Sequence, residues 1–485
     1  WPSSAYLVAD ATTKTGFRVQ LPQAAMPVNI DEIAVDPAPF NRYDGFSPNG
    51  VIVVGFPAGV SPTGLPPADD PAVSLRPDSP VVMLRMGAGA ESFVPLFAEV
   101  DQNIDEVESR ALLIRPLVRL APGARYLVAI RKAVKAADGS ALPRSPAFAA
   151  LVDGKTVAHP LMDALAPRYP EIFAALEKAG IPRTDLVLAW DFITASDDFL
   201  TSDLLSMRDQ ALLAMPDDGA QLTFDGVAAD PRAAHTYRVV TGTFDSPLFL
   251  TDGESDVSVI ARDADGLPTL MGIYRARFAA LVPACVEKAA APVPLVIFGH
   301  GLFGSAEEAL KSGLVRKIAD EQCAVFIGTD YIGLANGNFA IAAFTVNDLN
   351  RSSSLTEKLP QGIVNFMALT RVARGPMVNS PLFTIDGRPT YDPSRVYYFG
   401  ASLGGIMGNV FMAYEPSIEK GVLGVSGGNW SLLFERSVAW PPLRGAMIGA
   451  YPARFAYATN IALMGMGFDR YDPITTTPRF AQALR

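Results

Sequence analysis

The chain has few of the residues that bind transition metals or carry redox chemistry. Among 485 residues there are two cysteines and three histidines, Cys285, Cys323, His159, His235 and His300. A zinc site needs about three or four such ligands at short spacings, and these five are scattered. No phosphate-binding loop and no paired-cysteine motif is present either. The sequence therefore predicts neither a metal site nor a cofactor.

Charge and long apolar runs are also scarce. Charged residues make up 19% of the chain, and the formal net charge is −10. This acidic balance argues against nucleic acid, or an anionic membrane, as the main partner. No apolar run is long enough to span a bilayer. What the chain has in abundance is turn formers, with 40 glycines and 40 prolines, and its length predicts two or three domains.

The start of the chain bears on its compartment. It begins at Trp1 rather than at methionine, without a visible signal peptide, and processing of an exported precursor is one explanation. In an oxidising compartment Cys285 and Cys323 could form a disulfide, but two unpaired thiols are an equally open alternative.

The first part of the chain is rich in strand and turn signals. Short apolar runs separated by proline and glycine occupy 50–56, 81–84, 111–114 and 125–130. Such punctuation predicts a β-sandwich over residues 1–155, a structural or substrate-presenting module without catalytic spacing. The segment Leu120–Tyr126 (LAPGARY) resembles the end of a bacterial Ig-like domain.

The pattern then changes twice. Apolar residues recur at helical spacing from about 159 to 215, which predicts a helical connecting region over 156–222. Strand character returns at 235–244 and 274–282, and these runs are expected to open a third domain, 223–485, as antiparallel strands. Within it, buried strands at 293–299 and 323–330 alternate with helices, which predicts a mostly parallel α/β sheet.

A nucleophile motif follows the next strand of that sheet. Arg395–Phe399 reads as a buried strand and Gly405–Ala413 as a packed helix, and between them lies Gly400-Ala401-Ser402-Leu403-Gly404. Strand, Gly-x-Ser-x-Gly and helix is the nucleophile elbow of the α/β-hydrolases. The serine must sit on a strained turn, so its neighbours two residues away on each side must be small. The sequence therefore predicts Ser402 as the nucleophile.

A second copy of the pattern occurs at Gly424-Val425-Ser426-Gly427-Gly428. Ser402 is preferred because it falls at the expected central strand, and because Gly404, Gly405 and Gly408 would let its helix approach the sheet closely. Ser426 is the weaker alternative, and its surroundings are expected to be a loop lining the cleft.

An oxyanion hole is expected from two backbone amides. The loop His300-Gly301-Leu302 follows a buried strand and matches the oxyanion loop of lipases. One donor would be the Leu302 N–H, and the other the N–H of Leu403, which follows the nucleophile. His300 is expected to shape the turn, although a role as the base is left open.

The general base is missing from the pattern. All three histidines precede Ser402, whereas the hydrolase order is serine, acid, histidine. Asp469 and Asp472 are interpreted as a helix start rather than as the triad acid. Because no strong strand follows Val425, the triad acid and histidine are not expected in this chain, but beyond Arg485 or on a second polypeptide.

These motifs together resemble secreted bacterial α/β-hydrolases of the virulence-factor lipase type, which are related to surface lysophospholipases. The matching segments are 299–304, 329–333, 361–362, 397–406 and 421–425, together with 432–433 and 436–437. The resemblance implies an esterase or lipase with Ser402 as nucleophile, an Ig-like N-terminal domain, and a secreted, periplasmic or cell-surface location in a bacterium. In such proteins the acid and histidine follow further sheet strands, which this chain lacks.

The substrate is expected to be a small-molecule or lipid ester, with contact to a lipid or membrane surface. The segment Trp430–Phe468 is rich in methionine and aromatic residues, and it reads either as a lid or acyl-binding wall, or as ordinary core and cap helices. Two other functions stay open: a binding or adhesion protein that keeps a degenerate hydrolase fold, and an acylase or peptidase on the same fold.

Overall fold

The computed structural model describes residues 1–87, 92–229 and 233–481. The strands in this part of the chain are β1 (Leu7–Ala9), β2 (Phe17–Val19), β3 (Ile52–Val54), β4 (Val81–Arg85), β5 (Leu96–Val100), β6 (Leu112–Pro116), β7 (Arg125–Arg131), β8 (Leu186–Ile193), β9 (Phe224–Ala229), β10 (Thr236–Leu248), β11 (Gly272–Pro283), β12 (Val293–Gly299), β13 (Val325–Thr329), β14 (Thr384–Ile385), β15 (Arg388–Pro389), β16 (Tyr391–Ala401) and β17 (Gly421–Gly424).

The α-helices of the same ranges are α1 (Pro146–Asp153), α2 (Pro160–Leu165), α3 (Tyr169–Lys178), α4 (Asp197–Ala214), α5 (Ala306–Leu310), α6 (Gly313–Glu321), α7 (Phe339–Asn347), α8 (Ser352–Thr356), α9 (Lys358–Arg374), α10 (Leu403–Tyr414), α11 (Trp430–Arg436), α12 (Pro441–Ala450), α13 (Ala456–Phe468) and α14 (Pro473–Thr476). Among these helices none combines the length and the apolar character that a bilayer crossing requires.

The chain divides into two compact units that are not contiguous in sequence. The first comprises 1–200, 346–350 and 429–469, and the second comprises 201–345, 351–428 and 470–485. These limits differ from the domain boundaries predicted after residues 155 and 222. Local turn signals mark where the chain bends, whereas compact units depend on pairing between distant segments, which local patterns do not record.

The first unit contains two three-stranded antiparallel sheets, in the orders β3-β6-β5 and β4-β7-β8. Helix α13 packs its alanines against Val51 and Val53 beside the first sheet. Helix α3 places Ile172 and Leu176 in the same core as Leu127 of the second sheet. The strands predicted near 52, 81, 112 and 125 are confirmed. The Ig-like character stays a prediction, since the type has about seven to nine strands and these sheets have three each.

One element of the predicted helical region is wrong. Residues Leu186–Ile193 form strand β8, which pairs antiparallel with β7 and aligns Phe192 with Tyr126. The run LVLAWDFI is almost continuously buried. A short apolar run of this kind has no clear period, so a buried strand and a helix segment cannot be told apart by spacing alone.

The second unit is built on one mixed seven-stranded sheet in the order β17-β16-β12-β13-β11-β10-β9. Strands β13, β12, β16 and β17 run parallel, while β11, β10 and β9 are antiparallel. This is the α/β sheet that the alternation of elements predicts, including its antiparallel opening strands. Helices α5 and α6 share a core with Phe298 and Phe326, and the interior residues of α9 are buried over most of its length. In the described ranges no strand joins this sheet beyond β17.

A disulfide joins Cys285 to Cys323. Of the two alternatives that the sequence leaves open, a disulfide or two unpaired thiols, the structure has the disulfide. Cys285 lies just after β11, and Cys323 lies just before β13. The bond therefore ties together two segments that flank neighbouring strands of the sheet.

Removing this bond is expected to destabilise the second unit. Closing a loop between residues 38 apart restricts the unfolded chain, which on the chain-entropy model is worth about 4 kcal/mol. A Cys285→Ala/Cys323→Ala variant should therefore unfold at lower urea concentration, with a free energy of unfolding lower by about 2–4 kcal/mol. The control is the unmodified protein in reductant, which should show the same loss; equal stability with and without reductant would contradict the bond's role.

Candidate active site

Ser402 occupies a strained turn between strand and helix. Strand β16 ends at Ala401, α10 begins at Leu403, and Ser402 between them has φ 56° and ψ −121°. A positive φ is unusual for any residue other than glycine, and it is held only where the surrounding structure demands it. Here the Ser402 N–H donates to the Gly424 carbonyl oxygen at 3.0 Å, and the side chain is exposed.

The glycines of the motif are required by packing. A Cβ on Gly400 would lie 2.5 Å from the carbonyl carbon of Gly404, and a Cβ on Gly404 would collide with the backbone of Gly299, at the end of β12. A Cβ on Gly408 would strike the ring of Tyr398. Helix α10 therefore starts in direct contact with two neighbouring strands, which only residues without side chains permit.

Two buried tyrosines hold the first turn of this helix. The Tyr398 hydroxyl donates to the Gly404 carbonyl oxygen at 2.5 Å, and the Tyr331 hydroxyl lies 2.8 Å from that of Tyr398. Because the Tyr398 hydroxyl donates its one proton to the carbonyl, the Tyr331 hydroxyl is the donor in the hydrogen bond between the two tyrosines. Burial raises the pKa of both phenols, so both keep their protons. The ring of Tyr331 in turn stacks on Phe366 of α9, with 4.3 Å between centroids.

His300 is a structural part of the loop that faces the elbow. Its Nε2 accepts the backbone N–H of Tyr331 at 2.8 Å, so Nδ1 carries the proton and donates to the Gly301 carbonyl oxygen at 2.8 Å. The ring is fully buried, and this burial lowers its pKa. With both nitrogens engaged, His300 has no lone pair to offer Ser402, which supports the turn-shaping role over the role of base.

Two backbone amides bear on an oxyanion site, that of Leu403, which follows Ser402, and that of Leu302 in the loop after β12. In the part of the chain that the structure describes, neither the Leu302 N–H nor the Leu403 N–H donates a hydrogen bond. Leu403 is the first residue of α10, and the close approach of Gly404 to Gly299 brings that helix end against the strand that leads into Leu302. The arrangement can supply two donors, together with a helix dipole, to an oxyanion. Their service as an oxyanion hole stays a prediction.

The rival serine has a different geometry. The Ser426 hydroxyl donates to the Gly405 carbonyl oxygen at 2.9 Å, and the nearby positive φ falls on Val425 rather than on Ser426. The next helix, α11, begins only at Trp430. Ser426 therefore fastens the first turn of α10, and it does not stand at the start of a helix.

The other titratable candidates are engaged elsewhere. His159 caps α2, and its Nδ1 accepts the N–H of Leu161 at 3.2 Å; His235 pairs with Asp320 at 2.8 Å. Asp472 caps α14, which confirms it as a helix start. Asp469 begins a short 3₁₀ turn and accepts the Ser47 hydroxyl at 2.8 Å.

In the part of the chain that the structure describes, Ser402 is not hydrogen-bonded to a histidine. The structure gives its hydroxyl no hydrogen-bond partner there, and the three histidines have the other partners just named. The same ranges hold no cluster of three or more histidine, cysteine or acidic side chains placed to bind a metal ion.

The tyrosine pair is the part of the site that the sequence motifs do not reveal. Tyr398 lies two residues before Gly400, and Tyr331 directly follows Asp330 at the end of β13. A signal was available, because a tyrosine predicted within a buried strand must find a partner for its hydroxyl. The partner itself could not be predicted, since it lies on another strand.

Comparison with known proteins finds similarity to solved structures only at low sequence identity. No protein-family model and no curated protein matches the chain. Among solved structures, it is similar to the acetyl xylan esterase from Paenibacillus sp. R4, with 12% identity and a TM-score of 0.33 over 56% of this chain and 73% of that one. The acetyl xylan esterase 1 from Thermoanaerobacterium sp. JW/SL YS485 gives 13% identity and a TM-score of 0.32 over 55% and 73%. A cold-adapted esterase from an Arctic intertidal metagenomic library has 14% sequence identity and a TM-score of 0.24, over 46% of this chain and 71% of that one.

Proposed function

We propose that this protein is a serine carboxylic-ester hydrolase that works through an acyl-enzyme on Ser402. The observation that carries the proposal is the exposed Ser402 on a strained strand-to-helix turn. Within the described ranges the N–H groups of Leu403, which follows Ser402, and of Leu302 donate no hydrogen bond, and this supports the same function. In the first half-reaction the Ser402 Oγ bonds to the ester carbonyl carbon, its proton passes to a base, and the alcohol leaves. Water then attacks the acyl group and frees Ser402.

The transition state of each half-reaction places negative charge on the former carbonyl oxygen. Two N–H groups directed at that oxygen, at the positive end of α10, would stabilise the charge. The tyrosine and glycine contacts hold these donors in place before substrate arrives. Removal of one such donor typically lowers kcat by about 10²–10³-fold.

The base and its carboxylate partner are proposed to come from outside Trp1–Arg485, on further chain or on a second polypeptide. The support is the placement of all three histidines in other hydrogen bonds. A secreted or cell-surface location is also proposed. The Cys285–Cys323 disulfide supports this location because such bonds persist in oxidising compartments.

A fluorophosphonate probe tests the nucleophile directly. The probe reacts with an activated serine, so treatment of the full-length gene product should give one adduct, found by mass spectrometry on the peptide that contains Ser402. The matched control is residues 1–485 alone, which should react at least about 100-fold more slowly if the base lies outside them. Heat-denatured protein should not react.

The alternatives predict other outcomes. An adduct on Ser426 would overturn the choice of nucleophile. Equal reaction rates for residues 1–485 and the full-length product would place the base inside this chain. No adduct in either protein would favour a binding or adhesion protein that keeps the fold without the chemistry. Cleavage of amides in preference to esters would favour an acylase or peptidase.

A further inference from the structure

Helix α7 turns an apolar stripe towards solvent. Phe339 and Phe344 are 54% and 58% exposed, and Ala340 between them is also exposed. The opposite face, with Ile341 and Ala342, is buried. No residue of α7 is charged. Exposure of aromatic side chains to water is unfavourable, and a group of them on one helix face marks a binding site for an apolar ligand.

The stripe is continuous with the loop that carries the proposed oxyanion donor. The ring of Phe303 meets that of Phe339 edge to face, with 5.1 Å between centroids. Phe303 directly follows Leu302, and its N–H donates to the Leu334 carbonyl oxygen at 2.9 Å. A second bond, from the Asn336 N–H to the Gly304 carbonyl oxygen at 2.9 Å, fixes the same two loops together.

Two contacts and a short run of chain connect the turn at Ser402 to the stripe. The first turn of α10, next to Ser402, packs on the end of β12 at Gly299. The four residues that follow Gly299 lead to Phe303, which contacts Phe339. An acyl group bound with its carbonyl oxygen at the Leu302 N–H would therefore have an aromatic surface within reach of its chain.

We propose that Phe303, Phe339 and Phe344 form the surface that binds the acyl chain of the ester, and that they set a preference for medium and long acyl groups over acetyl. This inference rests on the proposed ester hydrolysis at Ser402. Each methylene that leaves water for an apolar surface gains about 0.8 kcal/mol, or about fourfold in binding, so a chain of several carbons would gain much and an acetyl group almost nothing.

The test is a series of p-nitrophenyl esters from acetate to decanoate, with the full-length protein and a Phe339→Ser/Phe344→Ser variant. Both side chains are more than half exposed, so the variant should fold. For decanoate, kcat/KM should fall at least about tenfold, while for acetate it should stay within about twofold. The matched control is Leu314→Ser, an apolar side chain on α6 that is 70% exposed, which should leave both esters unchanged.

The outcomes distinguish failure of this inference from failure of the proposed ester hydrolysis on which it rests. If acetate hydrolysis persists and the decanoate-to-acetate ratio is unchanged, the acyl surface is elsewhere and the inference fails alone. If the parent protein hydrolyses no ester, the proposed function fails, and the inference falls with it. If kcat/KM fell equally for both esters, and Phe344→Ser alone gave the same equal fall, the substitutions would have a general effect on the site, and the inference would also be overturned.

Discussion

Ser402→Ala in the full-length protein is expected to lower kcat/KM for p-nitrophenyl acetate by at least about 10³-fold. Without the Oγ there is no acyl-enzyme, and the remaining amides can only assist direct attack by water, which leaves a small fraction of the rate. The exposed position of the side chain means that its loss removes no packing. The measurement is initial rates over a substrate series, with thermal melting to show that the variant is folded.

Ser426→Ala is the matched control, because it removes the same hydroxyl from the second copy of the motif. Its loss takes one hydrogen bond from the Gly405 carbonyl oxygen, which is worth about 1 kcal/mol of stability. Hydrolysis should stay within about threefold of the parent. A larger fall in Ser426→Ala than in Ser402→Ala would reverse the assignment of the two serines.

Gly404→Ala is expected to lower the free energy of unfolding of the second unit by more than about 3 kcal/mol. The added Cβ would lie 2.6 Å from the carbonyl carbon of Gly299 and 3.1 Å from its Cα, and these are backbone atoms that cannot rotate away. Relief would require α10 to move off the sheet, which would also displace Ser402 and the Leu403 N–H. Urea unfolding and labelling by the fluorophosphonate probe should therefore both report the change.

Gly445→Ala is the control, and it is expected to change the free energy of unfolding in the opposite direction. Gly445 lies inside α12, it is exposed, and a Cβ there meets nothing within 4 Å. Alanine is the better helix former by about 1 kcal/mol, so this variant should be slightly more stable than the parent. If Gly404→Ala behaved like Gly445→Ala, the close contact between α10 and β12 would not exist in solution.

The elbow could be predicted because its signals are local. A buried strand, small residues two places either side of Ser402, and an apolar helix all lie within about 20 residues, and each element reflects its own sequence. The mostly parallel character of the sheet follows in the same way from alternating strands and helices. The antiparallel strands β10 and β11 can also be predicted, since each is a long run of strand-forming residues, whereas the short edge strand β9 is not predicted.

What the sequence could not show depends on contacts between distant segments. The tautomer of His300 follows from the position of the Tyr331 N–H, which is 31 residues away. The support of Gly404 by Tyr398 needs the turn between them to be formed. The spacing of residues 186–193 predicts helix, whereas pairing with β7 makes this segment strand β8. The grouping of 429–469 with the first unit likewise rests on packing such as that of α13 beside β3.

The neutral imidazole of His300 has a consequence for the response of the protein to acid. Its folded pKa is lowered by burial from about 6.5, so as pH falls below that value the unfolded chain takes up a proton here before the folded one does. This group therefore adds stability above about pH 6.5, and that stability declines as the pH drops through the folded pKa. Because the shift is downward, the folded loop takes up a proton on this ring only at a lower pH than a free imidazole would. A pH–rate profile whose midpoint lies above about pH 6.5 would thus report a group other than this imidazole, and the base that serves Ser402 is the first such group to test.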